Sequence, residues 1–344
     1  MPDKSANVAV VGAGAIGGST AAFLTEAGWN IEIVCKHQEI ADLAQSPGLH
    51  IFGVKGEHRV PVKSTKDVKD LAGPIEMVLL ATKANDCLEA AKELLPLLSQ
   101  DSIVVSLQNG ICEDALAGVL GRDRVVGCVV GWGATMHAPA EIEVTSPGEF
   151  VIGNIDHRHD QRLLLVQEML SAVVPTRISD NIMGELYSKM IINSCINSLG
   201  VITGMKLGKL LATSKARKIF TALMREAIAV AAAIGIKVEP GGGGKLDYYS
   251  FLDGSSFMSD LKRTLLMRII GFKYRRIRSS SLQSLERGQR TEIDYLNGYI
   301  CNRGRENGVP TPINDAVVSM IREIETGTRK FCLENLNEPA FSGL

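Results

Sequence analysis

The residues with the clearest chemistry are three glycines near the amino terminus. Gly12, Gly14 and Gly17 form a G-x-G-x-x-G motif in the stretch VAVVGAGAIGGS, with Ala15 and Ile16 between the last two. The motif directly follows an apolar run typical of a β-strand and directly precedes a helical pattern. The first glycine then permits a tight turn, the second lets the backbone approach a pyrophosphate, and the third lets the helix pack on the strand. We therefore predict a dinucleotide site at this helix N-terminus.

The end of the second predicted strand indicates which dinucleotide binds. An acidic residue about 20 positions past the motif would bind the ribose 2′-hydroxyl of NAD. The sequence instead has Lys36, 19 positions after Gly17, while Glu32 lies inside the strand and Glu39 lies past its end. A lysine there can bind the 2′-phosphate of NADP, so the sequence favours NADP(H). The alternative is a solvated surface lysine.

Two more predicted strands end in polar residues. The run VLLATKAND contains Lys83 just past its apolar part, and VVSLQNG contains Asn109. Ligands of open α/β sheets bind beyond the carboxyl ends of the strands, so both side chains are predicted to lie near the nicotinamide half of the cofactor. The alternative is that both occupy ordinary surface loops.

A polar stripe follows in the second half of the chain. Lys189, Asn193 and Asn197 recur every four residues on an otherwise apolar helix, so they share one helix face. Such a stripe is costly to bury unless it lines a polar cavity. A lysine in such a cavity can serve as general acid toward a carbonyl oxygen. A solvated stripe on an amphipathic helix is the alternative.

The stretch SSSLQSLERGQRTEIDYLNGYI has the last group of polar candidates. Its apolar spacing predicts a helix over 281–305, interrupted by Glu292 and Asp294, with Ser279 and Ser280 where the helix begins. A serine at a helix N-terminus can cap it and, with the free N–H groups, hold a carboxylate. The alternative is a plain N-cap and a surface carboxylate.

Two kinds of domain are needed to position these residues. Residues 1–180 alternate β-branched runs with helical patterns, which predicts a doubly wound α/β domain of the Rossmann type. Within it, residues 131–153 are predicted to form antiparallel strands that close the sheet edge. Residues 181–344 show helical periodicity throughout, which predicts an all-helical domain.

One segment of the helical half stands apart. Residues 241–278 begin with four glycines and continue into an apolar, strongly basic stretch. Seven cations fall within 17 positions: Lys262, Arg263, Arg268, Lys273, Arg275, Arg276 and Arg278.

Composition excludes several classes of protein. The chain has 344 residues, 45% hydrophobic and 22% charged, with a formal net charge of -1. These values exclude disordered, collagen-like and polycationic nucleic-acid-binding chains, so we expect a small-molecule partner and no nucleic acid. Seven cysteines without a C-x-x-C pair disfavour disulfides and a metal site and suit a reducing cytoplasm. We expect neither a signal peptide nor a membrane span, because no apolar stretch approaches roughly 20 residues.

The order of the motifs resembles one family. VGAGAIG, TKA, QNG, K-x-x-x-N-x-x-x-N and S-S-x-L-Q…R-x-T-E-I-D-Y-x-N-G follow one another as they do in the ketopantoate reductase (2-dehydropantoate 2-reductase) family. The resemblance covers nearly the whole chain. It implies a Rossmann domain followed by an all-helical domain, and an NADP-dependent oxidoreductase that uses NADPH to reduce 2-dehydropantoate to (R)-pantoate, as in pantothenate biosynthesis.

The resemblance also implies roles for the polar candidates. Lys189 would be the general acid that protonates the substrate oxygen, and Glu292 would hold this lysine and a substrate hydroxyl. Asn193 and Asn197 would bind the hydroxyl end of the substrate, and Ser280 its carboxylate. The cofactor would be bound by Lys83 and Asn109 near the reacting carbon and by Lys36 at the 2′-phosphate.

Three features depart from the family pattern. Leu207 stands where some members supply an asparagine, and Asp86 where some have glutamine. The segment 241–278 looks longer than the family needs, and a lid over the substrate, a subunit contact in a homodimer, a membrane-surface helix and a solvated extension all stay open for it. The alternatives in function are a reductase of a different 2-oxo or 3-oxo acid and a non-catalytic NADPH-binding protein.

Overall fold

The chain divides into two compact units. A computed structural model describes residues 4–156, 158, 160–254 and 256–344, and the units comprise residues 1–186 and 187–344. The sequence places the change at 180/181, close to the start of the helix Ile182–Thr203. The first turn of this helix packs on the first unit, since a β-carbon built at Gly127 or Gly153 would lie within 3 Å of Ile182. The boundary between the units therefore falls inside the helix.

The first unit is built on two sheets. Its described residues form twelve strands: β1 (Val8–Val11), β2 (Ile31–Val34), β3 (Leu49–Gly53), β4 (His58–Val60), β5 (Lys63–Thr65), β6 (Ile75–Leu80), β7 (Leu98–Ser106), β8 (Val125–Val130), β9 (Gly133–Ala138), β10 (Glu141–Ser146), β11 (Phe150–Asn154) and β12 (Thr176–Ile178). The larger sheet has the order β12-β11-β8-β7-β6-β1-β2-β5. Its strands from β8 to β5 are parallel, and β11 runs antiparallel to β8. This mainly parallel sheet confirms the predicted Rossmann-type fold.

The second sheet corrects one prediction. Of residues 131–153, the strand β11 closes the edge of the large sheet, but β9 and β10 join β3 and β4 in a separate sheet of order β4-β3-β10-β9. The prediction failed for β9 and β10 because their partners, β3 and β4, are short strands that the sequence analysis did not predict.

The described residues of the first unit form five further α-helices before Ile182. They are α1 (Ala15–Glu26), α2 (Gln38–Leu43), α3 (Cys87–Leu94), α4 (Glu113–Leu120) and α5 (Gln161–Ser171). Helix α1 contacts both sheets, and a β-carbon at Gly18 would lie 2.6 Å from the side chain of Ile142 on β10. Because α1 is covered on two sides, its middle consists of small buried residues, Ser19 to Ala22.

The second unit is helical, as predicted. Its described elements are α6 (Ile182–Thr203), α7 (Leu207–Ala212), α8 (Ser214–Ala233), the single turn α9 (Gly241–Gly244), α10 (Tyr248–Leu252), α11 (Phe257–Lys273), α12 (Ser280–Glu286), α13 (Asn297–Glu306) and α14 (Pro312–Glu325). Residue 255 of the segment 241–278 lies outside the described part. The predicted single helix over 281–305 is wrong, because it is broken into α12, a loop and α13. Gly288 has a φ of +70° directly after α12, a left-handed conformation that ends helices.

Two general features bear on function. Among the described residues no helix combines the length and apolarity needed to cross a membrane. All seven cysteines are free thiols. Burial raises the pKa of Cys35 and Cys301 to about 12, so these two thiols stay protonated and unreactive.

Candidate active site

The predicted cofactor residues lie along one edge of the large sheet. Neighbouring strands in the order β7-β6-β1-β2 are parallel, so their carboxyl ends meet at the same edge. Each of these strands is followed by one of the predicted positions. In sheet order they are Asn109 after β7, Lys83 after β6, Gly12 after β1 and Lys36 after β2.

The three glycines of the motif differ in what surrounds them. Gly12 has a φ of +112°, and a β-carbon there would lie 2.7 Å from the backbone just beyond β6. A β-carbon at Gly17 would lie 2.0 Å from the carbonyl oxygen of Gly12. At Gly14, the N-cap of α1, a β-carbon would meet no described heavy atom within 4 Å, and no described side chain caps the helix. This open space, with the first-turn N–H groups of Ala15 and Ile16 beside it, fits a pyrophosphate.

Lys36 has an acidic neighbour that the sequence pattern does not reveal. Its Nζ lies 3.6 Å from Oδ2 of Asp86, and both side chains are exposed. Asp86 ends the turn that begins at Lys83, whose carbonyl oxygen accepts a hydrogen bond from the Asp86 N–H. The departure at Asp86 and the expectation for Lys36 therefore concern one ion pair, in which the carboxylate competes with any anion that Lys36 binds.

A buried polar cluster, missed by the sequence reasoning, supports the same edge. The Ser106 hydroxyl donates to Oε1 of Gln108 at 2.7 Å, and the Gln108 amide donates to the Thr82 hydroxyl at 3.3 Å. Behind them Glu113 is 1% exposed and accepts a hydrogen bond from the Cys112 N–H at 3.0 Å. These bonds join the loops that follow β6 and β7. The sequence signal for this cluster is the acidic pair Glu113 and Asp114 at the start of an apolar helix.

Glu113 makes the stability of the first unit depend on pH. Burial raises the pKa of its carboxyl group from 4.5 to about 7. The folded state then holds the proton more tightly than the unfolded chain, so the stabilisation is complete below about pH 4.5 and is lost as pH rises through 7. We expect this group alone to lower the free energy of unfolding by about 3 kcal/mol between pH 4.5 and pH 8.

The measurement is denaturant unfolding at pH 5, 6, 7 and 8. Glu113→Gln should lose this component of the pH dependence, whereas Glu89→Gln, at an exposed position on α3, should retain it. Equal pH slopes for Glu113→Gln and the unsubstituted chain would contradict the prediction.

Three of the predicted catalytic and substrate residues of the second unit lie on α6. Lys189, Asn193 and Asn197 follow at four-residue spacing on this helix and so share one face. Lys189 and Asn193 are half-buried, and Asn197 is buried. This partial burial distinguishes the stripe from a fully solvated face.

The structure brings two of these residues together across the fold. The Ser280 hydroxyl donates a hydrogen bond to Oδ1 of Asn197 at 3.3 Å, although the residues are 83 positions apart. Ser279 caps α12 by accepting a hydrogen bond from the Leu282 N–H at 3.2 Å. A β-carbon at Gly200 on α6 would lie 2.5 Å from the Ser279 hydroxyl, so the start of α12 rests directly on α6. Capping and contact with Asn197 are thus divided between the two serines.

Glu292 lies in the loop between α12 and α13. It is buried, and its carbonyl oxygen accepts a hydrogen bond from the Tyr295 N–H at 3.1 Å. The preceding residue, Thr291, donates from its N–H and its hydroxyl to Oε1 of Glu325, both at 2.7 Å. Glu325 on α14 therefore anchors the backbone that carries Glu292, a support that sequence spacing does not reveal.

A second buried network extends from α6. Ser198 donates to Oδ1 of Asn297 at 2.5 Å, and the Asn297 amide donates to Oδ1 of Asn314 at 2.8 Å. The Asn314 amide donates in turn to Glu226 at 2.7 Å. Burial raises the pKa of Glu226. These bonds tie α6 to α13, α14 and α8 beside the polar stripe.

Two departures are located in this unit. Leu207 is 5% exposed at the start of α7, so its side chain packs in the apolar interior. The segment 241–278 reaches α6, because the Tyr248 hydroxyl donates to the carbonyl oxygen of Ser188 at 2.5 Å. This bond lies one residue before Lys189.

Comparison with known proteins gives one consistent family. The family model described as ketopantoate reductase PanE/ApbA matches residues 8–157, and that of its C-terminal domain matches residues 181–325. A 2-dehydropantoate 2-reductase from Mesorhizobium japonicum is 28% identical over 92% of this chain and 97% of its own length.

Solved structures show the same fold. A PanE/ApbA family ketopantoate reductase from Ralstonia eutropha JMP134 has a TM-score of 0.78 and 29% identity, with 93% of this chain and 99% of that chain covered. A D-mandelate dehydrogenase solved with NADH and anilino(oxo)acetate has the same TM-score at 21% identity, with the same coverage, and shows likeness of fold.

Proposed function

Because the chain belongs to the ketopantoate reductase PanE/ApbA family, we propose that it reduces 2-dehydropantoate to (R)-pantoate with NADPH. NADPH, when bound, supplies the hydride that adds to the substrate's ketone carbon. What supports the proposal is the half-buried Lys-Asn-Asn face of α6 with Ser280 hydrogen-bonded to it. The free thiols suit a cytoplasmic reaction.

Lys189 is proposed as the general acid. Its ammonium donates a proton from Nζ to the ketone oxygen as the carbon gains hydride, which yields the alcohol and a neutral amine. Glu292 is proposed to orient this lysine and to accept a hydrogen bond from a substrate hydroxyl. The anchor from Glu325 to Thr291 then limits how far the Glu292 backbone can move.

The remaining polar residues of the second unit are proposed to orient the substrate. Asn193 and Asn197 offer amide donors and acceptors that suit a hydroxyl group. Ser280 is exposed at the start of α12. Its hydroxyl is proposed to turn its single proton from Asn197 to the substrate carboxylate when substrate binds. Its present bond to Asn197 positions both groups before substrate binds, which lowers the entropic cost of binding.

The residues of the sheet edge are proposed to bind NADPH. The loop Gly12–Gly17 would hold the pyrophosphate, Lys83 and Asn109 the region near the nicotinamide, and Lys36 the 2′-phosphate.

Cofactor choice is expected to depend on the Lys36–Asp86 pair. Lys36→Ala should lower kcat/KM for NADPH at least about 10-fold and leave kcat/KM for NADH unaffected, because only NADPH carries the 2′-phosphate. Asp86→Asn should raise kcat/KM for NADPH by up to about 5-fold, as expected for loss of an exposed ion pair. Steady-state kinetics with both cofactors measure this, with Glu89→Gln as a surface control. An unchanged NADPH/NADH ratio in Lys36→Ala would remove the lysine from cofactor recognition.

The experiment that tests the function is an NADPH oxidation assay with the purified chain. We expect 2-dehydropantoate to exceed other 2-oxo and 3-oxo acids and to reach a kcat/KM above about 10⁴ M⁻¹s⁻¹, a typical lower bound for an enzyme with its own substrate. NADPH binding without turnover of 2-dehydropantoate would refute the proposed substrate.

Leu207 favours a second candidate function, the reduction of a less polar 2-oxo acid. Its buried apolar side chain cannot supply the amide contact that some family members have at this position. A kcat/KM for an apolar 2-oxo acid above that for 2-dehydropantoate would select this candidate.

A further inference from the structure

Helix α11 carries large apolar side chains on a face that the described part of the chain leaves uncovered. The outer apolar face consists of Phe257, Met258, Leu261, Leu265, Ile269 and Phe272. Their exposed fractions range from 49% for Leu261 to 79% for Phe257. Their spacing places them on one side of the helix. A contiguous exposed apolar surface of this kind marks an interaction site.

The opposite face of α11 is firmly attached. Met267 is 4% exposed, and a β-carbon at Gly271 would lie 2.9 Å from the β-carbon of Leu211 on α7. Arg263 is 7% exposed and donates to the carbonyl oxygens of Asp253 at 2.8 Å and Gly254 at 3.0 Å. The outer apolar face therefore belongs to an anchored helix and cannot be buried by a simple rotation.

The charge around the outer apolar face is strongly one-sided. Residues 257–278 contain seven cations and a single acid, Asp260, which pairs with the buried Arg263. On helical geometry Lys262 and Lys273 border one side of the face, and Arg268 lies near its other side, between Phe257 and Leu261. The exposed Arg275 and Arg276 continue the positive charge beyond the helix, whereas Arg278 pairs with Glu286.

We infer that the outer apolar face of α11 docks onto an anionic lipid membrane surface. The apolar side chains would enter the boundary between headgroups and acyl chains, and the bordering cations would meet the lipid phosphates. The helix would lie in the plane of the surface, consistent with its length of 17 residues and its charged borders.

Charge argues against a second copy of the chain as the occupant. In a two-fold contact the same patch meets itself, so the cationic borders of one copy would face those of the other. Like charges across an interface are costly, and this stretch offers no unpaired acid to offset them.

The test is co-sedimentation of the full chain with vesicles. We use phosphatidylcholine alone and phosphatidylcholine with about 30% phosphatidylglycerol, each in about 0.1 M and 0.5 M salt. We expect binding to the anionic vesicles, at least 10-fold weaker binding to neutral ones, and weakening by salt.

Two variants and a control separate the contributions. Leu265→Gln/Ile269→Gln removes apolar surface without adding charge, and Lys262→Gln/Arg268→Gln/Lys273→Gln removes charge. Each should weaken binding to anionic vesicles at least 10-fold while far-UV circular dichroism and thermal unfolding stay unchanged. Leu164→Glu, at a 57% exposed position on α5, should bind as the unsubstituted chain does.

Three outcomes would overturn the inference. They are no binding of the unsubstituted chain to anionic vesicles, equal binding to neutral and anionic vesicles, and a dimer in sedimentation velocity that Leu265→Gln/Ile269→Gln converts to a monomer. The last outcome would identify a second copy as the occupant. None of these measurements depends on reductase activity.

Discussion

Lys189→Ala is expected to lower kcat with 2-dehydropantoate by about 10³-fold, within the range typical of losing a general acid. Without the ammonium, the oxygen that gains charge during hydride addition must take its proton from water. The stability of the chain should change little, because alanine suits the middle of α6.

The measurement combines steady-state kinetics with NADPH titration of the variant. We expect the Kd for NADPH to change less than about twofold, since the proposed cofactor residues belong to the first unit. Lys218→Ala, at an exposed lysine on α8, is the matched control and should retain full activity. A kcat for Lys189→Ala within threefold of the unsubstituted chain would exclude this lysine as the acid.

The three motif glycines are expected to respond differently to alanine. Gly17→Ala should lower the free energy of unfolding by about 3 kcal/mol or more, because the β-carbon would lie 2.0 Å from a backbone oxygen. Gly12→Ala should be comparably damaging, because its φ of +112° adds backbone strain to the clash. Gly14→Ala should keep the stability within about 1 kcal/mol, since its backbone conformation suits alanine.

Gly14→Ala, the variant expected to keep its stability, is expected to lose cofactor affinity. Gly14→Ala should weaken NADPH binding at least about 10-fold, because the methyl group fills the space proposed for the pyrophosphate. Denaturant unfolding and isothermal titration with NADPH measure the two effects. Normal NADPH affinity in Gly14→Ala would place the pyrophosphate elsewhere, and normal stability in Gly17→Ala would show that α1 can shift to accommodate a side chain.

Local sequence patterns were sufficient for much of the architecture. The glycine motif between strand and helix, the alternation of strand and helix patterns that predicts a doubly wound sheet, and the helical second unit can all be read from local patterns and their order along the chain. The Lys189, Asn193 and Asn197 stripe is equally local, because helix geometry alone places its members on one face. The resemblance to the family rests on the same motifs read in order, and the two family models confirm it.

These local patterns did not predict the contacts between distant parts of the chain. β9 and β10 pair with β3 and β4 instead of closing the large sheet, and a break at Gly288 places Glu292 in a loop. Periodicity describes an element but leaves its partner open, since register and pairing depend on what the rest of the chain buries.

The same reason applies to the candidate site. The hydrogen bond between Ser280 and Asn197, the ion pair between Lys36 and Asp86 and the burial of Glu113 all join residues to surroundings that sequence spacing does not contain. Residue types and local spacing thus determined which side chains are proposed for the chemistry. Folding set their neighbours, their burial and, for Glu113, the pKa, because these depend on packing between elements far apart in sequence.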